Sequence, residues 1–121
     1  MRFMIIDDDM YMADVISTFL KKKSYEVVVH STVSDGLRHI MENEFDGIIL
    51  DLHMPGMGAM EAVPIIKEIN PDLCVGIVTS DTSASAKYSA LKAGADFFLE
   101  KPKDIPNILN AIETYRHKKA S

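Results

Sequence analysis

The stretch Gly47-Ile48-Ile49-Leu50-Asp51 decides the fold. It is a continuous apolar run, with none of the apolar–polar alternation of a strand that keeps one face in water, and an acid follows at once. Such a strand is buried on both faces, as in a parallel sheet covered by helices on each side. The same pattern recurs in both directions along the chain. Upstream lie Arg2–Ile6 and Tyr25–His30, the latter with the strongly β-forming Val27-Val28-Val29. Downstream lie Val75–Thr79 and Phe97-Phe98-Leu99. Helix-period segments separate them. Tyr11–Lys23 carries Val15, Ile16, Phe19 and Leu20 on one face, and Val33–Glu42 is expected to bury Leu37, Ile40 and Met41. Ala62–Ile69 presents Ile65, Ile66 and Ile69, and its start near Ala62 would put Pro64 in the first turn, where proline is tolerated. Ser83–Ala93 is stopped by Gly94, and a last helix from about Ile105 to Tyr115 turns Ile105, Ile108, Leu109 and Ile112 inward behind Asp104 as N-cap. Strands alternating with helices predict an α/β, doubly wound parallel sheet.

The chain's 121 residues suit one domain spanning 1–121, with 47% hydrophobic and 26% charged residues in the ordinary globular range. Thirteen Lys plus Arg against eighteen Asp plus Glu leave a net charge of −5, which argues against direct nucleic-acid binding through phosphate neutralisation. The single cysteine, Cys74, excludes an intrachain disulfide and fits a small core residue in a reducing compartment. No signal-peptide pattern opens the chain and no run approaches the ~20 apolar residues of a membrane span. A cytoplasmic protein with no membrane contact is the expectation.

In an open parallel sheet, ligands bind beyond the carboxyl ends of the strands. The residues that follow each strand therefore belong together. They are Asp7, Asp8 and Asp9 after the first, His30 and Ser31 at the second, Asp51 after the third, Thr79 and Ser80 at the fourth, and Lys101-Pro102 after the fifth. Carboxylates gathered at one edge repel unless a cation offsets them, and a small set of hard oxygen ligands suits Mg²⁺. Lys101 would pair with a carboxylate when the site is empty and with an anion when it is filled. Asp9 reads only as an acid that caps a helix or ends a strand. His30, His39 and His117 show no ligand-like spacing and read as structural or solvated, and the eight Met read mostly as core filler.

With these motifs in order, the chain resembles the CheY-like receiver domain of bacterial two-component response regulators over essentially its whole length. The resemblance rests on Ile5-Ile6-Asp7-Asp8-Asp9, Ile49-Leu50-Asp51-Leu52-His53-Met54-Pro55-Gly56-Met57, Ile77-Val78-Thr79, and Lys92 through Pro102. It implies a flavodoxin-like (βα)5 sheet of strand order 2-1-3-4-5. It implies that Asp51 accepts a phosphoryl group from a sensor histidine kinase or phosphotransfer protein. It implies Mg²⁺ on Asp8, Asp51 and the His53 carbonyl, with Asp7 acting mainly through water, and a phosphoryl contact from Lys101, whose bond to Pro102 would be cis. Thr79 and Phe98 would form the switch that alters the face of the fourth helix, fifth strand and fifth helix for an output partner, a face on which Tyr88 and Tyr115 are placed. The domain would be a phosphoacceptor rather than an enzyme, at most catalysing its own phosphorylation and dephosphorylation.

Departures from the family pattern are Gly58-Ala59 where Asp-Gly is usual, Phe98 where Tyr is commonest, Lys103 for Phe after Lys-Pro, and Phe97 for an acid. The last two put the dimer mode of DNA-binding members in doubt. His53 and Asp81 occupy positions that tune phosphoryl lifetime in the family. Two readings stay open beside the main one: a receiver-like interaction module that works without phosphorylation, and the N-terminal receiver of a longer transcription regulator. An aspartyl phosphatase is disfavoured because its second acid would stand where His53 is, and an FMN carrier because three aspartates after the first strand repel phosphate.

Overall fold

The structure, a computed structural model, describes residues 1–120. The strands are β1 (Arg2–Ile6), β2 (Glu26–His30), β3 (Gly47–Leu50), β4 (Cys74–Thr79) and β5 (Phe97–Glu100). The helices are α1 (Met10–Lys21), α2 (Val33–Glu42), α3 (Ala59–Ile69), α4 (Ala84–Ala93) and α5 (Ile108–Ala120), the last preceded by a 3-10 turn at Ile105–Asn107. All strand pairs are parallel and the order is β2-β1-β3-β4-β5, as the resemblance implied.

The unbroken apolar runs have the expected consequence, because alternate residues of each inner strand enter different cores. Met4, Ile6, Ile48, Leu50, Val75 and Ile77 meet α2, α3 and α4 through Val33, Ile40, Ala62, Val63, Ile66 and Ala90. Phe3, Ile5, Ile49 and Val78 meet α1 and α5 through Ala13, Ile16, Leu20, Ile108 and Ile112. Helix starts follow local chemistry where a side-chain oxygen is available. Asp9, Thr32 and Ser83 each accept a hydrogen bond from a first-turn amide, and Gly94 ends α4 at φ +120°, a backbone region that favours glycine.

Four expectations are corrected. Helix α3 starts at Ala59, so Pro64 lies well inside it; the position is exposed, and water can serve the Met60 carbonyl that the missing amide leaves. The buried stripe of α3 is accordingly Ala59, Ala62, Val63 and Ile66, whereas Ile65 and Ile69 are exposed. Met41 is 71% exposed, so it is not core. Asp104 caps nothing with its side chain: its carboxylate accepts from the Glu100 amide instead, at 3.0 Å.

Gly47 shows why β3 opens on a residue without a side chain. It pairs with Phe3, and a Cβ there would lie 2.2 Å from the Phe3 ring and 3.2 Å from the Cys74 carbonyl oxygen. Phe3 is fully buried and stacked on Tyr25 at 5.3 Å, so it has little room to give way. Gly47→Ala is expected to destabilise the domain by about 1–3 kcal/mol through overpacking. Urea unfolding checks this, with an unchanged midpoint as the contrary result.

Candidate functional site

Register brings the polar ends of the strands to one level. Ile6 pairs with both His30 and Leu50, and Leu50 with Ile77, so the residues that follow emerge side by side. The backbone ladder runs on past the strand ends: the Asp7 amide donates to the His30 carbonyl at 3.1 Å, Asp51 to Ile6 at 3.1 Å, and Lys101 to Thr79 at 2.8 Å. Sheet hydrogen bonds therefore fix the backbones of Asp7, Asp51 and Lys101 directly. The Lys101–Pro102 peptide bond is cis.

The Lys101 ammonium bridges two acids, at 2.6 Å from Asp7 and 3.1 Å from Asp51. Its side chain is 8% exposed, that of Asp7 2% and that of Asp51 13%. Asp7 also accepts from the Asp9 amide at 3.0 Å, and Asp51 accepts from the His53 amide at 3.4 Å. Burial pushes the Asp7 carboxyl above its ordinary range, outweighing Lys101 and the Asp9 amide, and the charge of Asp51 adds to the rise. Burial alone would lower the Lys101 pKa, but its bonds to Asp7 and Asp51 prevail and hold the ammonium charged. Asp8 is exposed at the rim, and one carboxylate oxygen each from Asp7, Asp8 and Asp51 lie within 4.8 Å of one another. Three hard oxygen donors at that spacing fit a divalent cation such as Mg²⁺. Asp9, by contrast, is the α1 cap, accepting from Met12 at 3.1 Å.

Thr79 is buried at the end of β4, and its hydroxyl accepts from the Asp81 amide at 3.3 Å. Phe98 is half-buried, packs against the core that includes Ile77, its strand partner, and lies near the cleft between α4 and β5. Tyr88 is exposed on α4. Tyr115 lies on α5 beside the start of β5, and its hydroxyl donates to the Asp72 carbonyl at 3.1 Å. Cys74 is buried, and burial pushes its thiol up to about 12, which makes it inert at neutral pH.

Two features escaped sequence reasoning because they join residues far apart or without a recognised spacing. His30 Nε2 and His39 Nδ1 lie 2.9 Å apart, so the two rings form a pair rather than separate solvated groups. His53 Nε2 and Asp81 Oδ2 lie 2.6 Å apart across the mouth of the acidic pocket. The His53 hydrogen bond, helped by the Ser83 amide and hydroxyl, holds the Asp81 carboxyl down at about 2. A carboxyl held below its unfolded value lends stability above its ordinary range and loses it as pH falls toward about 2. In His53→Ala, the Asp81 carboxyl is expected to titrate closer to the ordinary aspartate value. Carbon-13 NMR of the side-chain carboxyl checks this, and an unmoved midpoint contradicts it.

The chain is thus an open parallel sheet with a lysine clamped between two acids at its carboxyl edge. The family model for the response regulator receiver domain matches residues 3–113. The chain therefore belongs to the response regulator receiver family and is a CheY-like domain of two-component signalling. It is 29% identical over 110 residues to the transcriptional regulatory protein ZraR of Salmonella typhimurium, covering 91% of this chain and 25% of ZraR. To the transcriptional regulatory protein PrrA of Mycobacterium bovis it is 25% identical over 120 residues, covering 99% of this chain and 52% of PrrA. The chain thus spans from a quarter to about half the length of these relatives. A CheY-like receiver domain from Methanospirillum hungatei superposes with a TM-score of 0.88 at 28% identity, covering 98% of this chain and 96% of the other. A receiver domain from Clostridium thermocellum gives 0.87 at 30% identity, covering 98% and 96%. Among the described residues, no helix is long and apolar enough to cross a membrane.

Proposed function

We propose that Asp51 takes a phosphoryl group from the phosphohistidine of a sensor kinase or phosphotransfer protein and that the resulting change is read by an output partner. The observation that carries this reading is the Lys101 ammonium at 2.6 Å from Asp7 and 3.1 Å from Asp51, with Asp8 beside them. A carboxylate oxygen of Asp51 attacks phosphorus, the phosphorus–nitrogen bond of the donor breaks, and its imidazole leaves with the bonding electrons. Asp8, Asp51 and the His53 carbonyl, with Asp7 through water, would hold Mg²⁺, which would offset charge on the transferring group.

The chain's own groups do the rest. Once Asp51 is an acyl phosphate its charge moves outward onto phosphoryl oxygens, and Lys101 follows it while remaining near Asp7. The Thr79 hydroxyl, at the neighbouring strand end, turns from the Asp81 amide to a phosphoryl oxygen. That movement frees space beside β4 and β5 for the Phe98 ring, and the face formed by α4, β5 and α5 changes shape. Self-catalysed phosphorylation from a small donor, and slow loss of the phosphoryl group to water, use the same groups. The partner is a protein or effector domain rather than nucleic acid, consistent with the net charge of −5. A cytoplasmic location follows from the donor chemistry.

Asp8 separates metal binding from the Lys101 clamp, because it is exposed and makes no contact with the lysine in this structure. Asp8→Asn is expected to weaken Mg²⁺ at least ~10-fold, about 1.4 kcal/mol, while the fold and the Lys101–Asp51 contact persist. Titration of amide NMR signals around Asp7 and Asp51 reads this, and equal affinity in the variant contradicts it.

A further inference from the structure

His30 closes β2 and His39 lies in the second half of α2, and the tight turn between them folds one ring against the other. Their Nε2 and Nδ1 atoms are 2.9 Å apart, and the rings cross at 85° with centroids 5.1 Å apart. Phe45, which is buried, meets the His39 ring edge-on at 5.1 Å and 88°, so the pair has an apolar wall on one side. Both histidines are half-buried. Two ring nitrogens at this distance oppose their lone pairs unless a positive centre lies between them. That centre is a proton carried by one tautomer or a cation shared by both rings. Burial, reinforced by His39, favours the neutral form of His30, and neutral imidazole is the form that binds metal. Asp35, one helical turn before His39, lends a field that favours positive charge.

We infer that His30 and His39 form a site for a borderline divalent transition ion such as Ni²⁺, Cu²⁺ or Zn²⁺, with the two imidazoles as neighbouring ligands and water in the remaining positions. Imidazole donors suit this group of ions, whereas the all-oxygen pocket of Asp7, Asp8 and Asp51 suits Mg²⁺. The 2.9 Å separation is the length of a hydrogen bond between the rings, and two nitrogens this close also lie within the span that one ion with metal–nitrogen bonds of ~2.0–2.1 Å can bridge. Uptake requires only that His30 carry its proton on Nδ1 and His39 on Nε2, so each ring stays neutral and no proton is lost. An ion here ties α2 to the end of β2, whose last carbonyl accepts the Asp7 amide at 3.1 Å.

Paramagnetic Ni²⁺ is the probe. It is added up to one equivalent to the nitrogen-15-labelled full chain in saturating Mg²⁺, which fills the oxygen pocket. Amide signals of residues 30–32 and 38–40 are expected to broaden first. In His39→Gln and His30→Gln the same broadening is expected to need at least ~10-fold more Ni²⁺. Broadening that persists unchanged in both variants puts the ion in the acidic pocket and overturns the inference, as does broadening centred on His53 with residues 30–32 spared. Should the variants not fold, Zn²⁺ added to the wild type gives an independent reading by nitrogen-15 shifts of the rings. Concerted movement of His30 Nε2 and His39 Nδ1 supports the site, and unmoved signals overturn it.

Discussion

Asp51→Asn is expected to abolish phosphoryl uptake while leaving the fold intact. The replacement keeps the size of the side chain and an oxygen for Lys101 but removes the anionic nucleophile. It also removes one of three neighbouring carboxylates, and so relieves part of the repulsion that helps push the Asp7 carboxyl up. Its stability should therefore change by less than about 1 kcal/mol or rise slightly. Intact mass after exposure to acetyl phosphate and Mg²⁺, together with thermal unfolding, reads both parts. Full phosphoryl uptake by the variant would place the acceptor elsewhere in the chain.

Lys101→Met carries the second large effect, because the lysine serves both chemistry and stability. Without it, a phosphoryl group on Asp51 loses its cationic partner, and uptake is expected to slow roughly 10²-fold, the usual loss for one positioned donor. The structural consequence falls on Asp7, which is 1% exposed and loses its 2.6 Å partner. Removing one member of a buried pair typically costs about 3–5 kcal/mol when the remaining charge stays uncompensated. Here the cost is bounded by protonation. The Asp7 carboxyl already lies above its unfolded value and rises further in the variant. An acid whose folded pKa is raised binds its proton more tightly in the native state, so stability falls as pH rises through that window and recovers on acidification. The variant should thus be markedly less stable than wild type at pH 7 without Mg²⁺, and the gap should narrow both at mildly acidic pH and on adding Mg²⁺. Equal stability at pH 7 without metal would show that Lys101 does not hold the pocket together.

The parts of this molecule that were legible in the sequence are those set by local chemistry. Ile48-Ile49-Leu50 has no polar alternation, so β3 had to be buried on both faces, and the sheet order followed from the family resemblance. Asp7, Asp51, Thr79 and Lys101 follow or end strands, and parallel strands in register carry all such residues to one edge. Gly94 ends α4 at a positive φ that glycine adopts freely, as its place in the sequence indicates. Missed features lack a local signal. Helix α3 begins after Gly58, which offers no side-chain oxygen as a start signal, and the exposed Pro64 suggested a later beginning. Asp104 had two possible uses, and tertiary geometry gave its carboxylate to the Glu100 amide. The Tyr115–Asp72 hydrogen bond joins residues 43 positions apart. The His53–Asp81 contact joins residues 28 positions apart, and the His30–His39 pair depends on how sharply β2 turns into α2.

The central claim is that Asp51 is a phosphoacceptor served by Lys101 and a divalent cation. The most direct test is the intact mass of the wild-type chain after incubation with Mg²⁺ and acetyl phosphate or phosphoramidate, with peptide mapping after borohydride trapping. The account predicts the gain of one phosphoryl group, located on Asp51 and lost when Mg²⁺ is chelated. A phosphoryl group mapped to any other residue, or uptake that persists when Mg²⁺ is chelated, would contradict it.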